Sequence, residues 1–320
     1  MNASLINEIE EKMKVYLNSD QLEQLHQVLE SCSGPDLADN NKHDLVQLFL
    51  AAKRVEGCSE KTVKYYDSTI RNAVKRIDKN IIQITTDDLR IYLDKYQTEN
   101  KISKVTVDNI RRILSSFFSW LEDEDYVAKS PVRRIHKVKT CKTVKETYSD
   151  EDLELMRDEC DGIRDLAIID LLASTGMRVG ELVKLNKRDI DFQNRECIVL
   201  GKGNKQRKAY FDARTKLHLQ KYIDSRDDSN EALFVSLQKP YDRLLISGVE
   251  IRLRELGKRL NIEKVHPHKF RRTLATSAID KGMPIEQVQQ LLGHQSIDTT
   301  LQYSMVNQNN VRESHRRYIG

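Results

Sequence analysis

The stretch ECIVLGKGNKQRKAYF, residues 196–211, decides how the chain folds. A short apolar run, Cys197–Leu200, meets Gly-Lys-Gly-Asn, and a second β-prone run closes on Ala209, Tyr210 and Phe211. Two such runs around a glycine-rich turn predict a β-hairpin. The flanks have a different period. IRDLAIIDLLASTG (163–176) is apolar on most sides, which predicts a buried core helix ended by Gly176, and RVGELVKL (178–185) starts another. Helical patterns resume after the hairpin and continue to the end. The fold class is therefore mainly α with a small β-sheet.

A chain of 320 residues suits two domains, because single cores stop growing near roughly 250–300 residues. With 39% apolar and 32% charged residues it should be soluble and globular. No apolar run is long enough to cross a bilayer, and MNASLINEIEEKMK lacks a signal-peptide pattern, so no membrane partner is expected. Five scattered cysteines (Cys32, Cys58, Cys141, Cys160 and Cys197) are odd in number and include no CxxC pair. That argues against a disulfide scaffold or a zinc site and favours a reducing cytoplasm.

The net charge of +4 is unevenly spread. Residues 1–40 carry a net −6, which leaves +10 on the remainder. A basic body suits a polyanionic partner, nucleic acid above all. The acidic leader, 1–40, predicts two short helices, Leu5–Leu17 and Gln21–Leu29, with Asp20 and Glu23 as a capping-box-like start to the second. Its charge suits a protein contact or a cap better than a DNA arm. Residues 41–128 predict a helical bundle. In SKVTVDNIRRILSSFFSWLEDE the apolar positions Val107, Ile110, Ile113, Leu114, Phe117 and Leu121 fall on one face. Lys61, Lys64, Arg71, Lys104, Arg111 and Arg112 lie on outer faces, and two basic-faced helices in one bundle point to phosphate contacts. The basic, Pro131-containing stretch 129–147 reads as a linker. Ser149 and Asp152 then open a second domain, 148–303, and 304–320 form a tail.

Four segments of the second domain hold residues suited to chemistry: TGMRVGEL, LGKGNKQRK, HPHKFRRT and LLGHQSIDTTLQYS. Each has a bland reading alone. Arg178 could merely pair with Glu181, Lys202 could be a hairpin-tip lysine, and His268 with Arg271 could be a solvated helix face. His294 could cap a helix, and Tyr303 could be one core tyrosine among twelve. His294 and Tyr303 lie nine positions apart, which on an unbroken helix would aim them about 180° apart. Gly293 is placed to end one helix and Ser296 to cap the next, so the chain can fold back and bring them together. Jointly the residue types form a set. Two arginines can clamp a phosphodiester, and a tyrosine can attack phosphorus. A lysine can protonate the departing oxygen, and histidines can accept the tyrosine proton or bond a phosphoryl oxygen. No aspartate cluster with metal-ligand spacing and no GxxxxGK[ST] loop accompanies them, so no metal or cofactor is expected.

With these motifs in this order the chain resembles the tyrosine recombinases of the phage-integrase family over roughly residues 45–305. Arg178 with Glu181 matches the family's first-arginine motif, and Lys202 its hairpin lysine. His268 and Arg271 match the HxxR box, His294 the GH motif, and Tyr303 the nucleophile. Arg272 departs from the pattern, since many members carry a second histidine there. The resemblance implies a helical core-binding (SAM-like) domain and an α/β catalytic domain closing as a clamp on DNA, in a Xer-like two-domain architecture. It implies site-specific recombination of double-stranded DNA at short inverted repeats. The expected route is a 3′-phosphotyrosyl intermediate and a Holliday junction, in a homo-tetramer on two DNA sites. It needs neither metal nor ATP. Arg178 and Arg271 would hold the phosphate with His294, Lys202 would be the general acid and His268 the general base. The tail would carry a helix that docks on a neighbouring subunit. DNA contacts are expected from Lys64, Lys104, Arg111, Arg112, Lys205 and Arg207, in a bacterial cytoplasm at the nucleoid. A need for an accessory or directionality protein is left open. Two rivals stand beside this reading: a type IB topoisomerase, which would relax DNA of any sequence, and a DNA-binding protein that does not cleave.

Overall fold

The computed structural model describes residues 3–32, 44–139, 146–201, 206–303, 315, 316 and 319. The chain divides into two compact units, Met1–Lys142 and Thr143–Gly320. None of the described helices is long and apolar enough to cross a membrane.

The first unit is helical. The leader forms α1 (Ala3–Met13) and α2 (Ser19–Cys32), which pack on each other. The second starts earlier than the sequence reading had it. Asn18 and Gln21 exchange side-chain-to-backbone hydrogen bonds, so the reciprocal cap lies two residues upstream of the expected Asp20–Glu23 pair. After it come α3 (Leu45–Val55), α4 (Glu60–Ile77), α5 (Thr86–Asn100) and α6 (Lys104–Asp123). Each start has a local cause: Asp44, Ser59, Thr85 and Ser103 turn side-chain oxygens onto first-turn N–H groups that lack partners within the helix. All six apolar positions expected to share one face of α6 are buried. Phe117 meets the Phe49 ring edge-on at 5.2 Å, and Phe49 lies stacked 5.9 Å from Tyr66. The expected linker begins on this unit: Ile135 and Val138 pack against its core, and the Val138 N–H donates to Asp108.

The second unit is built around a buried helix. A Ser149–Asp152 capping box starts α7 (Asp150–Asp158), and α8 (Ile163–Thr175) follows. On α8, Ala167, Ile168, Ile169, Leu171 and Leu172 are all buried, so the helix has almost no solvent face. Gly176 ends it in the left-handed region, at φ 58°. One turn of helix, α9 (Val179–Leu182), leads to the sheet. There β2 (Glu196–Leu200) and β3 (Gln206–Tyr210) pair antiparallel, as the opening stretch predicts. A two-residue strand, β1 (Ile190–Asp191), adds to the outer side of β2 and was not foreseen. The helices α10 (Ala213–Asp224) and α12 (Pro267–Asp280) pack on α8. Between them in sequence lies α11 (Ile246–Arg259), whose Gly257 takes the close approach of Val265. The unit closes with α13 (Ile285–Leu292) and α14 (Ile297–Leu301).

Because Phe117 joins α3 to α6 and has no solvent exposure, Phe117→Ala should destabilise the protein by about 3–5 kcal/mol. The exposed neighbour substitution Ser119→Ala should stay within about 0.5 kcal/mol of wild type. Urea unfolding of the two variants checks the pair.

Candidate active site

Two glycine breaks and one helix cap build the site. At the end of α8, Gly176 adopts a positive φ, and a Cβ there would lie 2.8 Å from Leu274 and 3.1 Å from Leu292. The chain can therefore turn tightly under α12 and α13 and present Arg178 as the N-cap of α9. At the end of α13, Gly293 repeats the device at φ 65°. Ser296 then caps α14 by accepting from the Asp298 N–H, and the chain doubles back. This reversal brings the His294 and Tyr303 rings to 5.9 Å, nearly parallel at 23°. The cap at Ser296 and the break at Gly293 fall where the sequence put them.

Glu181 is the centre of the arrangement. It is 4% exposed, yet three hydrogen bonds converge on its carboxylate. Oε2 accepts from the Arg178 backbone N–H at 2.9 Å and from Arg207 Nη2 at 2.8 Å, while Oε1 accepts from Arg178 Nη1 at 2.8 Å. Burial works to raise its pKa. The Arg178 N–H, the Arg207 charge and the Arg178 guanidinium together outweigh that and leave it below the usual value. Glu181 is thus held ionised.

Arg271 is 2% exposed, on α12. Its Nη1 donates to the Gly176 carbonyl and its Nη2 to the Leu292 carbonyl, each at 2.7 Å. Both acceptors lie at helix C-termini, where unpaired carbonyls and the helix dipole favour a cation. Burial, and then the nearby Arg178 charge, pull its pKa down to about 10, which still leaves it charged at neutral pH. His294 is also buried, and its Nδ1 lies 2.8 Å from Thr300 Oγ1. Burial first, then the charges of Arg271, Arg178 and Arg207, lower its pKa to about 4. In the tautomer whose Nδ1 accepts from the Thr300 hydroxyl, the neutral imidazole carries its proton on Nε2 and can donate there; in the other tautomer Nδ1 donates to Thr300.

Arg178, Arg207 and Arg271 therefore face one carboxylate and a neutral histidine. Two positive charges remain in surplus beside a tyrosine. That balance fits an oxyanion such as a phosphodiester and would stabilise charge growing on it.

Some expected residues gather here and others do not. His268 lies one helical turn before Arg271 and is exposed. Lys202, Lys205 and nearly all of the 304–320 tail fall outside the described residues. Arg207, expected among the DNA contacts, has its guanidinium turned into the protein, with Nη1 on the Leu291 carbonyl. Strand alternation carried that signal, because Arg207 shares a face with buried Ala209. In the first unit Lys64, Lys104 and Arg112 are exposed, whereas Arg111 is half-buried and paired with Asp108 at 2.9 Å. Arg272 donates to the Glu146 carbonyl. The contribution of Thr300 was not foreseen, and no spacing rule marks it. Among the described residues no group of three His, Cys, Asp or Glu side chains could hold a metal ion.

Comparison with known proteins gives a consistent picture. Residues 144–310 match the phage integrase family, and 45–128 match the phage integrase N-terminal SAM-like domain. The tyrosine recombinase XerC of Oceanobacillus iheyensis is 30% identical over 289 residues, covering 85% of this chain and 94% of that protein. Its counterpart in Staphylococcus aureus is 29% identical over 282 residues, covering 83% and 93%. Two solved structures share the fold. XerH bound to a palindromic difH substrate, a post-cleavage complex, superposes with a TM-score of 0.69 at 20% identity, covering 97% of this chain and 93% of that one. A lambda integrase dimer on a COC′ core site gives 0.68 at 21% identity, covering 82% and 94%.

The depressed pKa of His294 fixes a sign. Between its ordinary 6.5 and about 4, the unfolded chain binds a proton that the folded protein refuses. The stability from keeping His294 neutral is complete above 6.5 and is lost as pH falls toward 4. NMR titration of the imidazoles should find His294 near 4, and His294→Gln should flatten the fall of unfolding free energy across that window. A His294 midpoint near 6.5 would contradict the electrostatics.

Proposed function

The chain belongs to the phage integrase family and is a tyrosine-type site-specific recombinase; from that premise we propose how its residues cleave and rejoin DNA. The observation that carries the proposal is the gathering of buried Arg271 and His294 with half-buried Arg178 and Tyr303 at one positively charged place.

The guanidinium groups of Arg178 and Arg271 clamp the non-bridging oxygens of the scissile phosphate, and His294 donates from Nε2. Arg271 is already tied to two backbone carbonyls, so it enters the reaction pre-organised and loses little freedom on binding phosphate. Tyr303 attacks phosphorus. As its oxygen–phosphorus bond forms, the bond to the 5′ oxygen breaks, which leaves a 3′-phosphotyrosyl ester. His268 takes the tyrosine proton, and Lys202 gives one to the departing 5′ oxygen. The ester keeps the energy of the broken linkage, so the 5′-hydroxyl of a partner strand can reverse the step without ATP. Two rounds pass through a Holliday junction.

We assign the two units different tasks. The helical unit contacts the duplex through the exposed faces bearing Lys64, Lys104 and Arg112, which fix position by phosphate contact. The second unit carries the chemistry. Short inverted repeats recruit a pair of subunits to each site, and two sites give a tetramer in the bacterial cytoplasm, where the chromosome is. The acidic leader and the tail serve contacts between proteins.

The test is covalent trapping. A duplex bearing the site recovered by in-vitro selection, nicked in its spacer so that religation fails, should accumulate a protein–DNA adduct with wild type, in EDTA as well as without it. Tyr303→Phe should bind equally and form none, and Arg178→Ala should slow trapping by about 10²–10³-fold. Adduct from Tyr303→Phe would refute the nucleophile assignment. Relaxation of plasmids lacking the site would favour a topoisomerase instead.

A further inference from the structure

The steps above give Arg207 no part. We infer that Arg207 is a positioning residue for DNA cleavage, a strut joining the turn that carries Arg178 to the turn that carries His294. The inference rests on the recombinase reading of the site.

Arg207 is the second residue of β3, paired in register with Val199 and on the same side of the strand as buried Ala209. Its side chain therefore enters the unit, with 14% exposure. One terminal nitrogen takes Glu181 Oε2 at 2.8 Å and the other takes the Leu291 carbonyl at 2.9 Å. Through Glu181 it fixes the plane of the carboxylate that orients Arg178. Through Leu291 it holds the end of α13 at the carbonyl next to the one Arg271 takes, just ahead of His294. One guanidinium thus sets the spacing among Arg178, Arg271 and His294.

A second observation points the same way. A Cβ at Gly293 would lie 2.5 Å from Arg207 Cδ and 2.7 Å from Nε, so the terminator of α13 is shaped around this side chain. The Nε itself is buried and has no hydrogen-bond partner among the described residues. An arginine serving as a surface phosphate contact would keep its fork in solvent. Here the fork spans two internal acceptors from different elements, which a lysine, with a single ammonium, cannot match. The Arg207 charge also helps to keep Glu181 ionised and His294 neutral.

The test compares wild type, Arg207→Met and Arg207→Lys on the nicked duplex, with Tyr303→Phe as the blank. DNA affinity is read across a salt series, and the adduct rate is read at saturating protein in a single turnover. Both Arg207 variants should bind with wild-type affinity and salt slope while the saturated cleavage rate falls by about 10²-fold, and lysine should not restore it. An unchanged saturated rate with weaker binding and a shallower salt slope would make Arg207 a DNA contact and overturn the inference. Full activity of Arg207→Lys would also overturn it, by showing that bare charge suffices. If wild type forms no adduct, the recombinase reading falls, and this inference with it. Should Arg207→Met melt below the assay temperature, Arg207→Lys, which keeps the charge and most of the stem, carries the test alone. It should cleave slowly while binding normally, and a wild-type rate would refute the strut.

Discussion

A single buried carboxylate, Glu181, is the constraint from which the catalytic unit is organised. Placing a carboxylate at 4% exposure costs several kcal/mol unless hydrogen bonds and opposite charge offset it. Here a backbone N–H and two guanidinium groups do so at once. The arginines gain as well. Their charges would repel one another if brought this close without the anion between them, and Arg271 still feels the Arg178 charge as a downward pull on its own pKa. Removing Glu181 would take away the carboxylate with which both Arg178 and Arg207 are paired. The site carries a surplus of positive charge, which suits the phosphodiester proposed to bind there.

Helix ends supply the second half of the design. Carbonyls at the C-termini of α8 and α13 bind Arg271, and both helices stop at a glycine with positive φ. The glycines do more than end helices. Gly176 lets Leu274 and Leu292 close over the turn, and Gly293 makes room for Arg207. Helix termination, close packing and cation binding are therefore the same event seen at three levels. A rigid frame of this kind lowers the reorganisation needed when phosphate arrives.

The sequence shows the components more readily than their depth. The hairpin, the ends of α8 and α13, the apolar face of α6 and the reversal between His294 and Tyr303 are all local patterns, and local patterns are legible. The anchorage of Arg271 is not, because its acceptors lie 95 and 21 residues away and are backbone carbonyls without a residue signature. Arg207 looked like a surface base because it sits in a run of Lys, Gln and Arg. Strand alternation alone would have turned it inward. The short β1 escaped because two residues are too few for any period, and only pairing with β2 makes them a strand. At the start of α2 the cap is Asn18–Gln21, two residues ahead of the Asp20–Glu23 pair expected from the sequence.

The proposed chemistry needs Arg178, Arg271 and His294 around one phosphate, with the Tyr303 oxygen in line behind it. A crystal structure of the protein with a cleaved half-site duplex and vanadate in place of the scissile phosphate measures this directly. The proposed mechanism requires a five-coordinate vanadium bonded to Tyr303 Oη, opposite the 5′ oxygen, with both guanidinium groups and His294 Nε2 on its equatorial oxygens. Vanadate held elsewhere, with Tyr303 remote and the two arginines turned to solvent, would contradict it.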